Sequence, residues 1–189
     1  MQSKTLGTAL IISAACLPFI AEARPGYTYL DLSYVSADLD NGPTVDGFGI
    51  DGSIRISNEI HLVADYQSLS KNDVDLDLVL IGPGYNLWLS DALDFVARAG
   101  YAQAEVGIER GGRNVSDTES GWFGQGGLRG MINAQLELNG FLTYVDAGGS
   151  TTSVDLGGVY FLTPAIGITL DGSFSDDANV YRGGIRFAF

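Results

Sequence analysis

Acidic side chains outnumber basic ones 23 to 10 in this chain of 189 residues, a formal charge of −13. So negative a balance excludes a nucleic-acid partner held by clustered lysine and arginine. Apolar residues make up 46% of the sequence, but beyond the N-terminus no strand-length block is continuously apolar, so hydrophobicity is dispersed by alternation, as in strands with two unlike faces.

The first 23 residues read as a secretory signal peptide: Lys4, an apolar run over residues 6–20, then Ala21-Glu22-Ala23 as a small-x-small cleavage site. Pro18 interrupts the run, which falls short of the roughly 20 residues a spanning helix needs, so the segment is expected to be removed. Cys16, the only cysteine, lies within it, leaving no thiol for a disulfide, a metal site or a nucleophile. Ser13-Ala14-Ala15-Cys16 lacks the leucine of a lipidation box. Residues 24–189 form one domain by length, with Lys71 as their only lysine.

From there the chain reads as ten strands of about 9 to 11 residues, the length that crosses a bilayer at a tilt. The first, 27–36, points Leu30, Leu32 and Tyr34 one way and Asp31 and Ser33 the other; a polar loop, 37–46, follows. The second, 47–57, places Ile50 and Ile54 opposite Asp51 and Arg55, and Asn58-Glu59 turns tightly into the third, 60–68, with His61 and Asp65 inward. After a loop around Lys71-Asn72-Asp73, the fourth begins at Val74 with Leu76, Leu78 and Leu80 outward, and Gly82-Pro83-Gly84 predicts a bulge because proline donates no ladder bond. Beyond the turn at Ser90-Asp91, the fifth alternates Phe95 and Tyr101 with Asp94 and Arg98. The longest loop is expected over 104–120, followed by the glycine-rich sixth, 121–131, with Trp122 and Leu128 outward and Gln125 and Arg129 inward. Turns at Asn133-Ala134 and Thr163-Pro164 bound the seventh to ninth, with Glu137, Asn139, Asp155, Thr169 and Asp171 inward.

The last strand ends on phenylalanine: Tyr181, Gly183, Ile185, Phe187 and Phe189 share one face, Arg182, Gly184, Arg186 and Ala188 the other. Outward aromatics form two bands, Tyr34, Tyr66, Tyr101, Trp122, Tyr144 and Phe174 on the loop side, Phe95, Tyr160, Phe187 and Phe189 on the turn side, as expected where amphipathic rings meet lipid headgroups. The fold class is therefore all-β, a transmembrane up-and-down antiparallel barrel of ten strands, with eight as the alternative if the hairpin around 82–89 dissolves.

Gly84-Tyr85-Asn86-Leu87, a turn, and Leu93 to Tyr101 ending Ala99-Gly100-Tyr101 resemble paired strands of the small OmpA/OmpX-type outer-membrane barrels, as does the terminal phenylalanine. The resemblance implies an outer-membrane location among lipid and lipopolysaccharide. It also implies an assembly signal, carried by Tyr181, Ile185, Phe187 and Phe189, that the barrel-assembly machinery reads. Family members are structural anchors, adhesins and narrow channels.

Inward charges are costly unless paired. Asp31, Asp51, Asp65, Arg98, Asp171 and Arg182 are expected near mid-height and Arg55, Asp94, Arg129, Glu137 and Arg186 near the turn end, with Asp31 beside Arg182 or Arg186 because the last strand must pair with the first. The favoured reading is a plug of arginine–carboxylate pairs. The alternative is a narrow cation-preferring channel, with Asp73, Asp75 and Asp77 as an acidic mouth. Asp38, Asp40 and Asp46 are solvated or share divalent cations with lipopolysaccharide; Asp38 to Gly42 lacks the ligands of a calcium loop. No catalytic, cofactor or metal set is expected. The one histidine, His61, follows a turn and faces inward, away from where barrel proteases or lipid A deacylases work, and no helix follows the glycines of 124–130 to make a phosphate loop. Asn114-Val115-Ser116 is a coincidental glycosylation match. The chain is read as a non-enzymatic barrel serving envelope integrity or surface interaction through 104–120.

Overall fold

The computed structural model describes residues 24–40, 42–71, 74–110 and 113–189 and no side chain within 108–115. The expected signal peptide, Asn72, Asp73 and the Asn114-Val115 side chains lie outside what it describes.

Ten antiparallel strands form a closed barrel: β1 (Tyr29–Leu39), β2 (Thr44–Arg55), β3 (Ile60–Lys71), β4 (Val74–Ser90), β5 (Leu93–Arg110), β6 (Arg113–Met131), β7 (Leu136–Asp146), β8 (Ser150–Thr163), β9 (Ile166–Ser175) and β10 (Ala178–Ala188). Each pairs with its neighbours in sequence, and β1 closes on β10 through Asp31↔Arg186 and Val35↔Arg182. The turns at one end share a chemistry. Backbone N–H groups two and three residues on donate to Ser57 Oγ, Asn133 Oδ1 and Thr163 Oγ1 at 2.8–3.3 Å, the local bonds that make these residue types turn formers. Residues 24–28 and Phe189 lie at this turn end.

Period-two alternation sends one face of each strand outward. Leu170 is 69% exposed and Ile54 62%, exposures that suit hydrocarbon rather than water. The loop-side aromatics touch in pairs, Trp122 with Tyr144 at 5.0 Å and Phe174 with Tyr181 at 5.9 Å between ring centres.

Four expectations are corrected. Gly82-Pro83-Gly84 does not bulge: β4 keeps one register against β5 from Ile81↔Tyr101 to Gly84↔Arg98 and matches β3 through Leu62↔Pro83. Gly82 and Gly100 oppose each other, and a Cβ on either would lie 2.1 Å from a backbone oxygen of the other strand. Two hydrogens in place of side chains let the backbones close where proline withholds its donor. The register shift falls instead between Trp88 and Ser90, at the turn.

Without a bulge, β4 has one phase throughout, and a one-residue difference in phase reverses every side chain. Ile81, Tyr85 and Leu87 face out, so Leu76, Leu78 and Leu80 face in. Leu80 packs against Val63, Ala102 and Phe123, and Leu76 against Val35, Ala37, Val45 and Leu69. The bore is thus part apolar.

The expected loop over 104–120 is strand. Pairing of β5 with β6 runs on from Ala102↔Gly121 to Arg110↔Arg113, whereas β6 meets β7 only from Trp122↔Asp146. Polar sequence does not forbid a ladder where both faces are wet, since every backbone group is satisfied by its partner strand. At 18 and 19 residues, β5 and β6 exceed the crossing length and stand beyond the rim as a hairpin. The first loop, expected over 37–46, shrinks likewise, since β1 runs to Leu39 and β2 begins at Thr44.

Candidate functional site: a lumen with a sealed floor

At the turn end the bore is closed by a buried ionic cluster. Glu137 of β7, wholly buried, accepts Arg129 Nε at 2.8 Å and Nη2 at 3.0 Å from β6, and Arg186 Nη1 at 3.0 Å from β10. Arg186 also grips Asp31 of β1 with Nε and Nη2, at 2.8 and 2.7 Å. Two arginines and two carboxylates therefore interlock across two strand interfaces, β6–β7 and β10–β1, and across the bore between β10 and β7, and the planar guanidinium fork makes the two-pronged grips possible.

Aromatic rings pack over this cluster. The Arg186 guanidinium lies 3.8 Å from the Tyr29 ring centre and that of Arg129 5.1 Å from it. The first strand, expected from Tyr27, begins at Tyr29; Tyr27 turns into the bore, only 2% exposed. Its hydroxyl donates to Asp94 Oδ2 at 2.8 Å, its ring is 4.7 Å from that of His61, and the Arg129 guanidinium sits 4.9 Å away. Ser53 Oγ donates to the Tyr27 carbonyl, and Arg24 lies 3.6 Å over the Trp88 ring. Period-two reading carries Tyr27 into a strand; nothing in the local pattern shows that it folds into the turn end of the bore instead.

Above this floor is a cavity of about 440 Å³ that reaches the loop end between the β7–β8 and β9–β10 hairpins, where Gly149, Thr151, Asp177 and Ala178 line it. One wall is polar. Asp155 Oδ1 accepts Ser153 Oγ at 2.9 Å and Ser173 Oγ at 2.5 Å, while Oδ2 accepts Thr143 Oγ1, itself bonded by Gln125 Nε2 at 2.8 Å. Arg182 Nη1 reaches from β10 to Asp65 Oδ2 on β3 at 2.8 Å. Val63, Leu78, Leu80, Phe123 and Val145 add apolar surface to the lining.

Of the residues singled out in the sequence, Asp31, Arg129, Glu137 and Arg186 form the floor. Arg182 pairs with Asp65 and lies in register with Asp171. Asp31, Asp51 and Asp65 are matched on adjacent strands, and Arg98 donates to Gln125 Oε1 at 3.0 Å. Asp94 serves Tyr27. Arg55 does not join the network; exposed at the rim, its guanidinium is 5.7 Å from the Tyr27 ring. The acidic mouth is not assembled over the bore: Asp77 accepts the hydroxyl of outward-facing Tyr66 at 2.8 Å and Asp75 shares its face, because β4 runs in the opposite phase. Asp73 lies outside the described residues. Tyr181 and Ile185 are exposed on the outer face, Phe187 is half-buried, and Phe189 is 85% exposed with its N–H donating to the Thr28 carbonyl. Among the described residues no three His, Cys, Asp or Glu side chains gather to hold a metal ion.

A family model described as an outer membrane protein beta-barrel domain matches residues 7–159. No curated protein matches the sequence. In fold the chain is similar to Ail, the attachment invasion locus protein of Yersinia pestis, at 10% identity over 85% of this chain and 95% of that one, with a TM-score of 0.47. It is also similar to the N-terminal β-barrel domain of Pseudomonas aeruginosa OprF, at 12% identity, 87% and 100% coverage and a TM-score of 0.43. NanC, a porin, aligns at 13% identity, 85% and 100% coverage and a TM-score of 0.49.

Proposed function

Since the chain belongs to the outer membrane protein β-barrel family, we propose that it is a non-enzymatic, non-conducting barrel of the outer membrane, closed toward the periplasm and presenting the β5–β6 hairpin for envelope integrity or surface interaction. Short turns face the periplasm and longer loops the exterior in such barrels, which puts the ionic floor inside and the hairpin outside. The observation that carries the reading is that floor: Glu137 and Arg129 are 0% and 3% exposed, and Tyr27 and Tyr29 pack against them. A hydrated ion crossing it would have to break charge-assisted bonds in a low-dielectric interior, where each buried pair is costly to split. The barrel-assembly machinery is the partner during insertion, reading the strand that ends at Phe189. Exposed Asp38 and Asp40, with Asp46 nearby, offer carboxylates to divalent cations shared with lipopolysaccharide phosphates.

Single-channel recording of the refolded protein in planar bilayers tests this, and silence is the expected result. Steady ohmic current refutes it in favour of a narrow cation-preferring channel, a reading favoured by Asp51, Asp155 and Asp171 on the cavity wall. Reversal potentials in a salt gradient would then show cation preference.

A further inference from the structure

We propose that the outward-opening cavity is a binding site for a small amphiphilic amine, its ammonium group beside Asp51 and Asp171 and its apolar body against Leu78, Leu80 and Phe123. The cavity's volume of about 440 Å³ lies within the roughly 300–1,000 Å³ of small-molecule pockets. Its lining is unbalanced in charge: seven carboxylates face four arginines. Three of those arginines are committed to carboxylates, Arg129 and Arg186 to Glu137 and Asp31, and Arg182 to Asp65. Arg98 alone makes no hydrogen bond to a carboxylate among the described residues, and Arg182, in register with Asp171, also attracts Asp51 and Asp171 through space, so four cations in all answer seven carboxylates.

The carboxylates outside those pairs, Asp51, Asp155, Asp171 and Asp177, differ in how they are held. Asp155 is saturated by hydroxyls and Gln125, and Asp177 at the mouth accepts Thr151 Oγ1 at 3.0 Å. Asp51 and Asp171 line the cavity with no hydrogen bond to either carboxylate among the described residues. A group that brings both positive charge and N–H donors answers that shortfall. A bare metal ion would meet the charge but leave the apolar part of the lining wet, because Val63, Leu78, Leu80, Phe123 and Val145 offer it nothing. An anion is repelled by the carboxylates, and a neutral sugar supplies donors but no charge. The inward phase of β4, which puts Leu78 and Leu80 here, adds apolar surface to an acidic bore.

The inference uses the closed floor only for the side from which the ligand enters. Its test is equilibrium binding of phenylbutylamine, phenylbutanol and phenylbutyrate, one apolar body with three heads, to the protein in lipid nanodiscs, with partitioning into empty nanodiscs subtracted. The amine is expected to saturate one site and to bind at least about tenfold more tightly than the alcohol, the carboxylate more weakly still. Asp51→Asn with Asp171→Asn should remove most of the difference between amine and alcohol, whereas Phe123→Ala should weaken both alike. Native barrel formation of each variant is checked by its heat-dependent shift on electrophoresis. Equal binding of amine and alcohol, no saturable amine binding, or unchanged selectivity in the folded double variant overturns the proposal. Because binding is read without a membrane potential, a conducting barrel that still selects the amine refutes only the closed-floor reading, and a silent barrel that ignores it refutes only this one.

Discussion

Replacing Glu137 by leucine removes the acceptor of three charge-assisted hydrogen bonds, two from Arg129 and one from Arg186. The two arginines then fare differently. Arg186 keeps both bonds to Asp31. Arg129 is 3% exposed, its Nη1 already has no hydrogen-bond partner, and its other two donors bond only Glu137 among the described residues. A buried cation stripped of its counter-ion costs about 3–5 kcal/mol, and that is the destabilisation expected for Glu137→Leu. Arg129→Met alone should cost about 1–3 kcal/mol, because Glu137 keeps Arg186. With both changes together, two apolar side chains meet where an ion pair stood, so the double variant should recover a coupling energy of about 2 kcal/mol. The assay is denaturant unfolding of protein refolded into phosphocholine vesicles, followed by the emission of Trp88 and Trp122. If the single effects add to within about 0.5 kcal/mol, the ionic floor is not a cooperative unit and the reasoning fails.

Tyr27→Ala takes away a buried ring and the hydroxyl bonded to Asp94; about 3 kcal/mol of stability should be lost in the same assay, and planar-bilayer recordings should gain transient openings absent from the parent. Gly84→Ala would set a Cβ 2.2 Å from His61 Nε2, and since that ring is buried against Tyr27 it has nowhere to go. The expected cost is about 1–3 kcal/mol, checked by vesicle unfolding, with Gly183→Ala, whose Cβ meets only Leu170 Cδ2 at 3.5 Å, as the mild control. On the outer face, Ile185→Arg should cost about 2–4 kcal/mol if the residue sits near the bilayer midplane; an effect below about 0.5 kcal/mol would show that this face does not meet lipid.

Much of this was written locally. Alternation alone marks Asp31, Glu137, Arg182 and Arg186 as inward, and the necessity that a barrel's last strand meet its first puts Asp31 beside an arginine of β10. Which arginine it takes depends on stagger: the register matches Asp31 to Arg186 and leaves Arg182 to cross the bore to Asp65, a contact between residues 117 positions apart with no local trace. The hairpin beyond the rim was illegible for another reason. Residues 116–120, Ser-Asp-Thr-Glu-Ser, are all polar, so hydrophobic periodicity carries no signal there even though the ladder is continuous.

The error over β4 shows how one local assumption spreads. Leu76, Leu78 and Leu80 look like a lipid-facing stripe, and so do Pro83, Tyr85 and Leu87; the two stripes are out of phase, so either a bulge joins them or one of them lies inside. Proline suggests the bulge. The glycines decide otherwise, because Gly82 against Gly100 lets two backbones approach closely enough to hold register past a missing donor. The half that crosses the membrane must be outward where lipid demands it, and the leucines nearer the loop end are carried inside. There Leu80 meets Val63, Ala102 and Phe123 and Leu76 meets Val35, Val45 and Leu69, giving the bore apolar surface among its aspartates. The same phase turns Asp75 and Asp77 away from the lumen, so any preference for cations rests on the charges within the cavity rather than on a ring at its mouth.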